Sequence, residues 1–279
     1  MAKTGVGKTI ALRQILEEVL EAPLIVDLVS RENEATSYTW TCNVIVVTGG
    51  VARVWLQRRL IQSSDYLVID EIHQTSEDLE LAMALAKKAG IPIIWCSATI
   101  DPQIHQNYLN ADLIVCEAFD PTRQAKVFAY DGVDEENAVE RLLNNLIPQF
   151  IAERRGVAVF VPTRAEAERL ARLYGGKYPS LRCDFYHGGE SASKLREYIA
   201  TGVTPPFIIF MTPAGQSSLN LHMQVDRQLE PINTLVVIDR AYREELHSGA
   251  RVLVRKELLN NDLLQMFGRV HGRAINGEI

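Results

Sequence analysis

Two carboxylates and a histidine, Asp70, Glu71 and His73, stand directly after the apolar run Tyr66–Ile69. A short apolar run that ends in acids predicts a buried parallel strand carrying charge to its carboxyl end. In open α/β sheets, ligands bind at that edge. One acid there can hold Mg²⁺ while its neighbour orients a water molecule. The structural alternative for the acid pair alone is the N-terminus of a helix, where acids are common.

A second stretch, residues 2–9, has the spacing of a phosphate-binding P-loop, with Ala2 where the first glycine usually stands. Its glycines let the backbone turn N–H groups toward phosphate. The lysine can reach the β- and γ-phosphates, and the threonine hydroxyl can take Mg²⁺. The alternative is a glycine turn before a helix. The predicted nucleotide-binding residues are Gly5, Val6, Gly7, Lys8 and Thr9, with Thr9 and Asp70 as the predicted metal ligands.

Composition limits the classes of protein that this chain can represent. The 279 residues, 47% apolar and 23% charged, suffice for two globular domains, and no run of membrane-spanning length or signal peptide is visible. The four cysteines lie far apart, which argues against a disulfide framework or structural zinc and indicates a reducing, cytoplasmic compartment. A net charge of −6 excludes a generic polycation, so any nucleic-acid site must be a local groove.

Strands and helices alternate along the whole chain, which predicts right-handed crossovers and parallel sheets covered on both faces. The pattern loosens at 119–122, and this divides the chain into two α/β lobes, residues 1–118 and 119–279. The predicted strands are Ala22–Val29, Asn43–Val47, Tyr66–Ile69, Ile91–Cys96, Leu113–Cys116, Gln124–Tyr130, Val157–Val161, Leu181–Tyr186, Phe207–Met211 and Thr234–Ile238. A hairpin is expected from Asp239–Glu244 and Arg251–Arg255.

Taken together, these motifs resemble the core of superfamily-two DExH-box helicases, the DEAH-like and viral-type RNA helicases. Asp70-Glu71-Ile72-His73 is similar to the family's acid box, and Ser97-Ala98-Thr99 to its coupling triplet. Thr48-Gly49-Gly50 and Ser30-Arg31 resemble segments that grip the nucleic-acid backbone. In the second lobe, the stretches similar to the fourth, fifth and sixth motifs are Phe160–Thr163, Thr212–Asn220 and Gln265–Arg273.

The resemblance implies two RecA-like domains with a nucleotide cleft between them, and a role for each matching residue. Glu71 would polarise the attacking water, Gln265 would contact the nucleotide or its water, and Arg269 would be an arginine finger. The implied catalytic residues are Asp70, Glu71, Lys8, Gln265, Arg269 and Arg273; the implied coupling residues are His73, Ser97 and Thr99; and the implied nucleic-acid contacts are Arg31, Thr48, Gly49, Thr163 and Thr212.

The chain departs from the family pattern in the sixth motif and at its two ends. Three residues separate Arg269 from Arg273, where the family usually has two, and Met266 replaces an arginine. No strand precedes the P-loop, and a closing strand is expected where the sequence stops, so both ends are expected to be truncated.

The resulting hypothesis is an NTP-dependent, Mg²⁺-dependent helicase or translocase that acts on single-stranded or partly duplex nucleic acid, with RNA favoured over DNA. ATP or another NTP is the expected nucleotide. Flanking domains of a larger protein or polyprotein are expected partners, with the host cytoplasm as the location if the source is viral. The alternatives are a nucleic-acid-binding module that keeps the fold without productive hydrolysis, and a P-loop enzyme acting on a small molecule. Tyr38 and Trp40 are weighed as base-stacking residues, with ordinary packing preferred.

Overall fold

A computed structural model of the chain describes residues 21–30, 33–70, 72, 76–97, 102–115, 121–130, 138–213, 220–247 and 250–279. The chain divides into two compact units, residues 1–118 and 119–279. Each unit is described by itself.

The first unit contains short parallel strands joined by helices, as the alternating pattern predicts. Strand β1 pairs with β2, and β3 with β4, in both cases in parallel. The elements are β1 (Val26–Val29), β2 (Val44–Val47), α1 (Gly49–Gln57), β3 (Leu67–Ile69), α2 (Glu77–Ala89), β4 (Ile93–Trp95) and α3 (Pro102–Leu109).

Helix α2 shows why its sequence begins and ends a helix where it does. The Ser76 hydroxyl accepts a hydrogen bond from the Leu79 N–H at 3.2 Å, which satisfies an N–H of the first turn. Three acids lie in that first turn and Lys87 and Lys88 in the last, where each charge complements the helix dipole. Gly90, at φ 71°, ends the helix in the left-handed conformation that favours glycine.

Helices α1 and α2 approach closely at their first turns, and this requires small residues there. A Cβ on Gly50 would lie 3.1 Å from the Asp78 Oδ2 atom, and one on Gly49 would lie 3.5 Å from the Leu79 backbone nitrogen. Arg53 forms an ion pair with Asp78 at 2.7 Å. The buried apolar residues that join the two helices are Ala52, Leu56, Ala82, Ala86 and Ile91.

The second unit has a four-stranded parallel sheet in the order β10-β5-β7-β6. Its elements are α4 (Ala138–Ala152), β5 (Gly156–Phe160), α5 (Arg164–Lys177), β6 (Arg182–Tyr186), α6 (Arg196–Ala200), β7 (Phe207–Met211), β8 (His222–Val225), β9 (Gln228–Pro231), β10 (Thr234–Val237), β11 (Arg240–His247), β12 (Ala250–Glu257) and α7 (Asn260–Phe267).

The central strand β7 is buried on both faces, so it has a continuous apolar sequence. Phe207, Ile209 and Met211 enter one hydrophobic core, while Ile208 and Phe210 enter the core on the opposite face. Successive side chains of a strand point to opposite faces, and a sheet covered on both faces therefore needs no polar alternation.

Residues 277–279 extend this sheet. The Leu235 N–H donates to the Glu278 carbonyl at 2.9 Å, on the β10 side. On the other side, the Lys126 N–H donates to the Gly277 carbonyl at 2.8 Å, and the Ile279 N–H returns a bond to Lys126 at 2.8 Å. Of the predicted strand Gln124–Tyr130, only a single β-bridge at Lys126 is present. Its described partner, residues 277–279, is too short to form a longer ladder.

Two antiparallel hairpins interrupt the parallel pattern. The predicted hairpin is confirmed and is longer than expected, since β11 and β12 pair over eight residues each. The sequence interpretation missed the hairpin of β8 and β9. Its two turn residues, Asp226 and Arg227, have φ values of 48° and 65°, the signature of a type I′ turn. Arginine is an unusual residue there, so the turn gave little sequence signal.

The strand predicted at Leu113–Cys116 is not observed, since its described residues 113–115 have no regular secondary structure. Among the described residues, no helix combines the length and the apolar character needed to cross a membrane.

We expect Ile209→Ala to lower the free energy of unfolding by about 2–5 kcal/mol, because the fully buried side chain leaves a cavity between packed neighbours. Urea denaturation followed by circular dichroism measures this change. Leu173→Ala is the control, since Leu173 is 41% exposed and its truncation should cost about 0.5 kcal/mol or less. Equal losses in the two variants would contradict the description of β7 as the buried centre of the sheet.

Candidate functional site

Two strands of the first unit end at one open cavity. Strand β2 leads to Thr48 and Gly49, and β3 leads to Asp70. Gly49 and Asp70 both line the cavity, together with Ser76 at the start of α2. The structure therefore places the predicted phosphate-gripping turn and the first residue of the acid box at the same cavity. Each follows the carboxyl end of its strand, which is where parallel α/β sheets bind ligands.

Backbone hydrogen bonds connect the acid box to Cys96, the residue before the predicted coupling triplet. The Ile72 N–H donates to the Cys96 carbonyl at 3.1 Å, and the Cys96 N–H donates to the Ile69 carbonyl at 2.8 Å. Ile72 is fully buried, which anchors the turn, and Ser97 is buried next to it. These hydrogen bonds fix the position of the acid box relative to Cys96.

Asp70 is exposed at the end of β3 and is chemically suited to Mg²⁺. Magnesium prefers oxygen ligands and is usually held by one or two carboxylates, water molecules and substrate phosphates rather than by a protein cage. A single aspartate on the wall of an open cavity fits that donor set. Several other predicted residues lie outside the described residues: Gly5, Val6, Gly7, Lys8, Thr9, Arg31, Glu71, His73 and Thr99.

Two threonines predicted to contact nucleic acid, one in each unit, turn out to be helix caps. The Thr48 hydroxyl accepts the Val51 N–H at 3.4 Å at the start of α1. The Thr163 hydroxyl accepts the Glu166 N–H at 3.2 Å at the start of α5. A capping hydroxyl uses its oxygen as acceptor and keeps its own hydrogen for another partner. Helix N-termini also favour anions, so each position suits a phosphate.

Thr212 follows the central strand of the second unit and is buried. Its N–H donates to the Tyr186 carbonyl at 3.2 Å, which continues the pairing of β7 with β6 beyond the strand end. Thr212 therefore lies at the carboxyl edge of the sheet of the second unit. Strand β5, which precedes Thr163 in the chain, ends at the same edge. The next residues of the fifth-motif segment, 214–219, lie outside the described residues.

Gln265 lies in α7 and Arg269 in the turns after it, and both are buried, with exposed fractions of 2% and 4%. Four positions separate them in the sequence. Met266 between them is fully buried in the core of the second unit. This explains why an apolar residue occupies a position where the family usually has arginine.

Arg273 is connected to the end of the fifth-motif segment. Its Nη1 atom donates to the Asn220 Oδ1 atom at 3.0 Å. Partial burial lowers the pKa of the Arg273 guanidinium, because removing a charge from water disfavours the charged form. Sequence reasoning missed Asn220 as a partner. Its position as the last residue of the motif was the available signal.

Trp40, one of the two aromatic residues weighed for base stacking, packs against Trp55. Trp40 and Trp55 have ring centroids 4.9 Å apart. Trp40 precedes β2, and Trp55 lies in the last turn of α1, which returns from the far end of that strand. The pair is therefore at the amino end of β2, opposite the edge that carries Thr48 and Asp70, and ordinary packing accounts for it.

The parallel strands, joined by helices in both units, define an α/β fold. Comparison with known proteins agrees. Residues 12–107 match the DEAD/DEAH box helicase family model. The resemblance drawn from the motifs is thereby confirmed for this part of the chain, which includes the acid box.

Relatives extend the comparison to the rest of the chain. The chain is 28% identical over 162 residues to Putative helicase 7 of Sulfolobus islandicus filamentous virus (isolate Iceland/Hveragerdi), covering 55% of this chain and 27% of that protein. Two crystal structures of Escherichia coli HrpB share the fold. One, described as a DEAH/RHA helicase, has a TM-score of 0.70 at 19% identity over 99% of this chain and 36% of its own. The other, described as a DExH-box NTPase, has a TM-score of 0.66 at 16% identity over 100% and 34%.

These structural matches establish the predicted fold, tandem RecA-like domains with parallel sheets. The chain spans only about a quarter to a third of the length of these relatives.

We expect Thr163→Ala to lower the free energy of unfolding by about 1 kcal/mol, because an N–H at the start of α5 loses its acceptor. Thr163→Ser keeps the hydroxyl and should retain most of that stability. Urea denaturation of the two variants side by side tests the cap. A serine variant as unstable as the alanine variant would show that the methyl group, not the hydroxyl, stabilises this turn.

Proposed function

We propose that this chain is the motor core of an NTP-dependent helicase or translocase that acts on nucleic acid, with RNA favoured and ATP as the nucleotide. The observation that carries the proposal is the backbone connection between Ile72 of the acid box and Cys96, the residue before Ser97, inside the region that matches the DEAD/DEAH box helicase model. The four dispersed cysteines support a reducing, cytoplasmic setting.

In the first unit, Lys8 binds the β- and γ-phosphates, while Thr9 and Asp70 hold Mg²⁺. When bound, Mg²⁺ neutralises charge that develops on the phosphate oxygens. Glu71 orients and polarises the attacking water, as a general base must be within hydrogen-bond reach of its proton. His73, Ser97 and Thr99 connect this chemistry to the rest of the motor, and the fastening of Ile72 to Cys96 supports the link to Ser97.

In the second unit, Gln265 contacts the nucleotide or its water and Arg269 acts as an arginine finger. The burial of Arg269 supports this assignment, because a preorganised cation loses little free energy to reorganisation when charge develops. Arg273 assists from its position against Asn220.

The nucleic-acid strand is held mainly at its phosphates. Thr48 and Gly49 of the first unit, and Thr163 of the second, lie at helix N-termini, where N–H groups and the helix dipole favour anions. Thr212 and Arg31 complete the proposed set. Contacts to phosphate fix the position of the strand and carry little base specificity.

A second candidate function is a nucleic-acid-binding module without productive hydrolysis. The observation that favours it is the extra residue between Arg269 and Arg273, together with the hydrogen bond that directs Arg273 to Asn220. If that bond persists during the reaction, one of the two cations is withheld from the nucleotide.

Phosphate release by the chain, measured with and without poly-RNA and single-stranded DNA, separates the two candidates. The motor predicts turnover that nucleic acid stimulates, more strongly by RNA. The binding module predicts saturable nucleic-acid binding without turnover. The same titration on a longer form of the protein, extended at both ends, tests whether flanking segments are needed.

We expect Arg269→Ala to reduce nucleic-acid-stimulated kcat by on the order of 10³-fold, the magnitude associated with an arginine finger, while the Kd for ATP changes little. Lys8→Ala should abolish turnover, because the phosphate contact is lost. Steady-state phosphate release and binding of a fluorescent ATP analogue provide the two readouts. Arg172→Ala is a matched control, since that arginine is 74% exposed on α5 and pairs only with Glu168 among the contacts described. An Arg269→Ala enzyme with wild-type kcat would refute the assignment.

A further inference from the structure

Residues 121–126, the entry segment, begin the described part of the second unit and are joined to residues 268–273, the arginine segment. The Gly272 N–H donates to the Arg123 carbonyl at 2.8 Å. The Arg123 Nη1 atom donates to the Arg273 carbonyl at 2.9 Å. The Ala125 N–H donates to the His271 Nδ1 atom at 3.2 Å. Three hydrogen bonds thus join segments about 150 residues apart in sequence.

The chain on both sides of the arginine segment is fixed. At its start, the Gly268 N–H closes the last turn of α7 by donating to the Leu264 carbonyl at 3.0 Å. After it, residues 277–279 pair with Lys126 and β10. A Cβ on Gly277 would lie 2.7 Å from Val270 Cγ1 and 3.3 Å from Ala125 Cβ, so Gly277 lies close to both segments and a larger residue would not fit there.

The extra residue of this sixth motif lies at the contact. Three residues, Val270, His271 and Gly272, separate the two arginines. Val270 is fully buried, His271 accepts from the entry segment and Gly272 donates to it. Gly272 has φ 77°, a conformation that favours glycine. The longer spacing is therefore accommodated by a turn that faces the entry segment.

We propose that Arg123 and His271 are positioning residues that hold Arg269 and Arg273 in place and couple them to the entry segment. This inference rests on the proposed function of the arginines. Because the entry segment follows the boundary between the two units, a displacement of the chain there is transmitted to the arginine segment through these hydrogen bonds. Neither residue contacts the reacting atoms.

The chemistry of His271 provides a sharp pair of variants. Its Nδ1 atom accepts the Ala125 N–H, so that nitrogen carries no proton. In His271→Asn, the side-chain oxygen can take the place of Nδ1 and accept the same bond. In His271→Leu, the volume is similar but the acceptor is lost. The two variants therefore separate loss of the hydrogen bond from loss of the ring.

Amide hydrogen exchange of the whole chain, read by mass spectrometry, tests the contact without reference to activity. In His271→Leu we expect faster exchange in peptides covering 121–128 and 268–273, with the peptide covering β7 unchanged. His271→Asn should exchange like the wild type. Wild-type exchange at both segments in His271→Leu would overturn the proposal.

Steady-state ATP hydrolysis with saturating RNA tests the consequence. In His271→Leu and Arg123→Ala we expect kcat to fall on the order of ten- to a hundred-fold, the effect of a small misplacement of a catalytic group, with little change in the KM for ATP. His271→Asn and Arg123→Lys should recover most of this loss, and Arg172→Ala should match the wild type. A fall in kcat that is the same in His271→Asn and His271→Leu would overturn the proposal.

The failure of this inference is distinguishable from failure of the proposed function. A wild-type chain that hydrolyses no NTP with any nucleic acid contradicts the motor assignment. The exchange experiment then still decides whether His271 fixes the arginine segment.

Discussion

The parallel pairing of buried strands is the constraint on which the candidate site depends. A parallel strand needs partners that run in the same direction, so the carboxyl ends of all strands in a sheet meet at one edge. In the second unit, the fully apolar β7 packs into a hydrophobic core on each face of the sheet. In the first unit, Gly49 and Asp70 each follow the carboxyl end of a parallel strand and line one cavity, although 20 residues separate them in the sequence. Polar residues that follow apolar strands are therefore the ones able to act together.

Several of these polar residues serve the fold and the proposed function with the same atoms. Thr48 and Thr163 cap helices, and each therefore stands at a helix N-terminus, where the other free N–H groups and the helix dipole favour an anion. Ser97 is buried, and Cys96 directly before it exchanges backbone hydrogen bonds with Ile69 and Ile72, the residues on either side of the acid pair. Such overlap explains why alanine variants alone confuse stability with function at these positions. A serine variant of a capping threonine, which keeps the hydroxyl, separates the two.

The arginine segment differs from these capped positions, because its hydrogen bonds come from residues distant in the sequence. Residues 268–273 contact the entry segment at Arg123 and Ala125, and Arg273 reaches Asn220. In each of these contacts, the two residues are between 53 and 150 positions apart in the sequence. A segment held in this way can respond to movement of several parts of the unit, a property suited to a motor that alternates between two states.

The sequence by itself determined the alternating α/β pattern, the two-faced burial of β7, the acid-tipped strand and the resemblance to DExH-box helicases. These signals are local: apolar periodicity, capping residues and short motifs are read within a few residues of one another. Only the tertiary structure decided that Trp40 packs on Trp55 away from the site, and that Met266 enters the core. It also decided that the extra residue before Arg273 forms a turn against the entry segment. Each of these outcomes depends on which distant residues meet, and no local pattern specifies that.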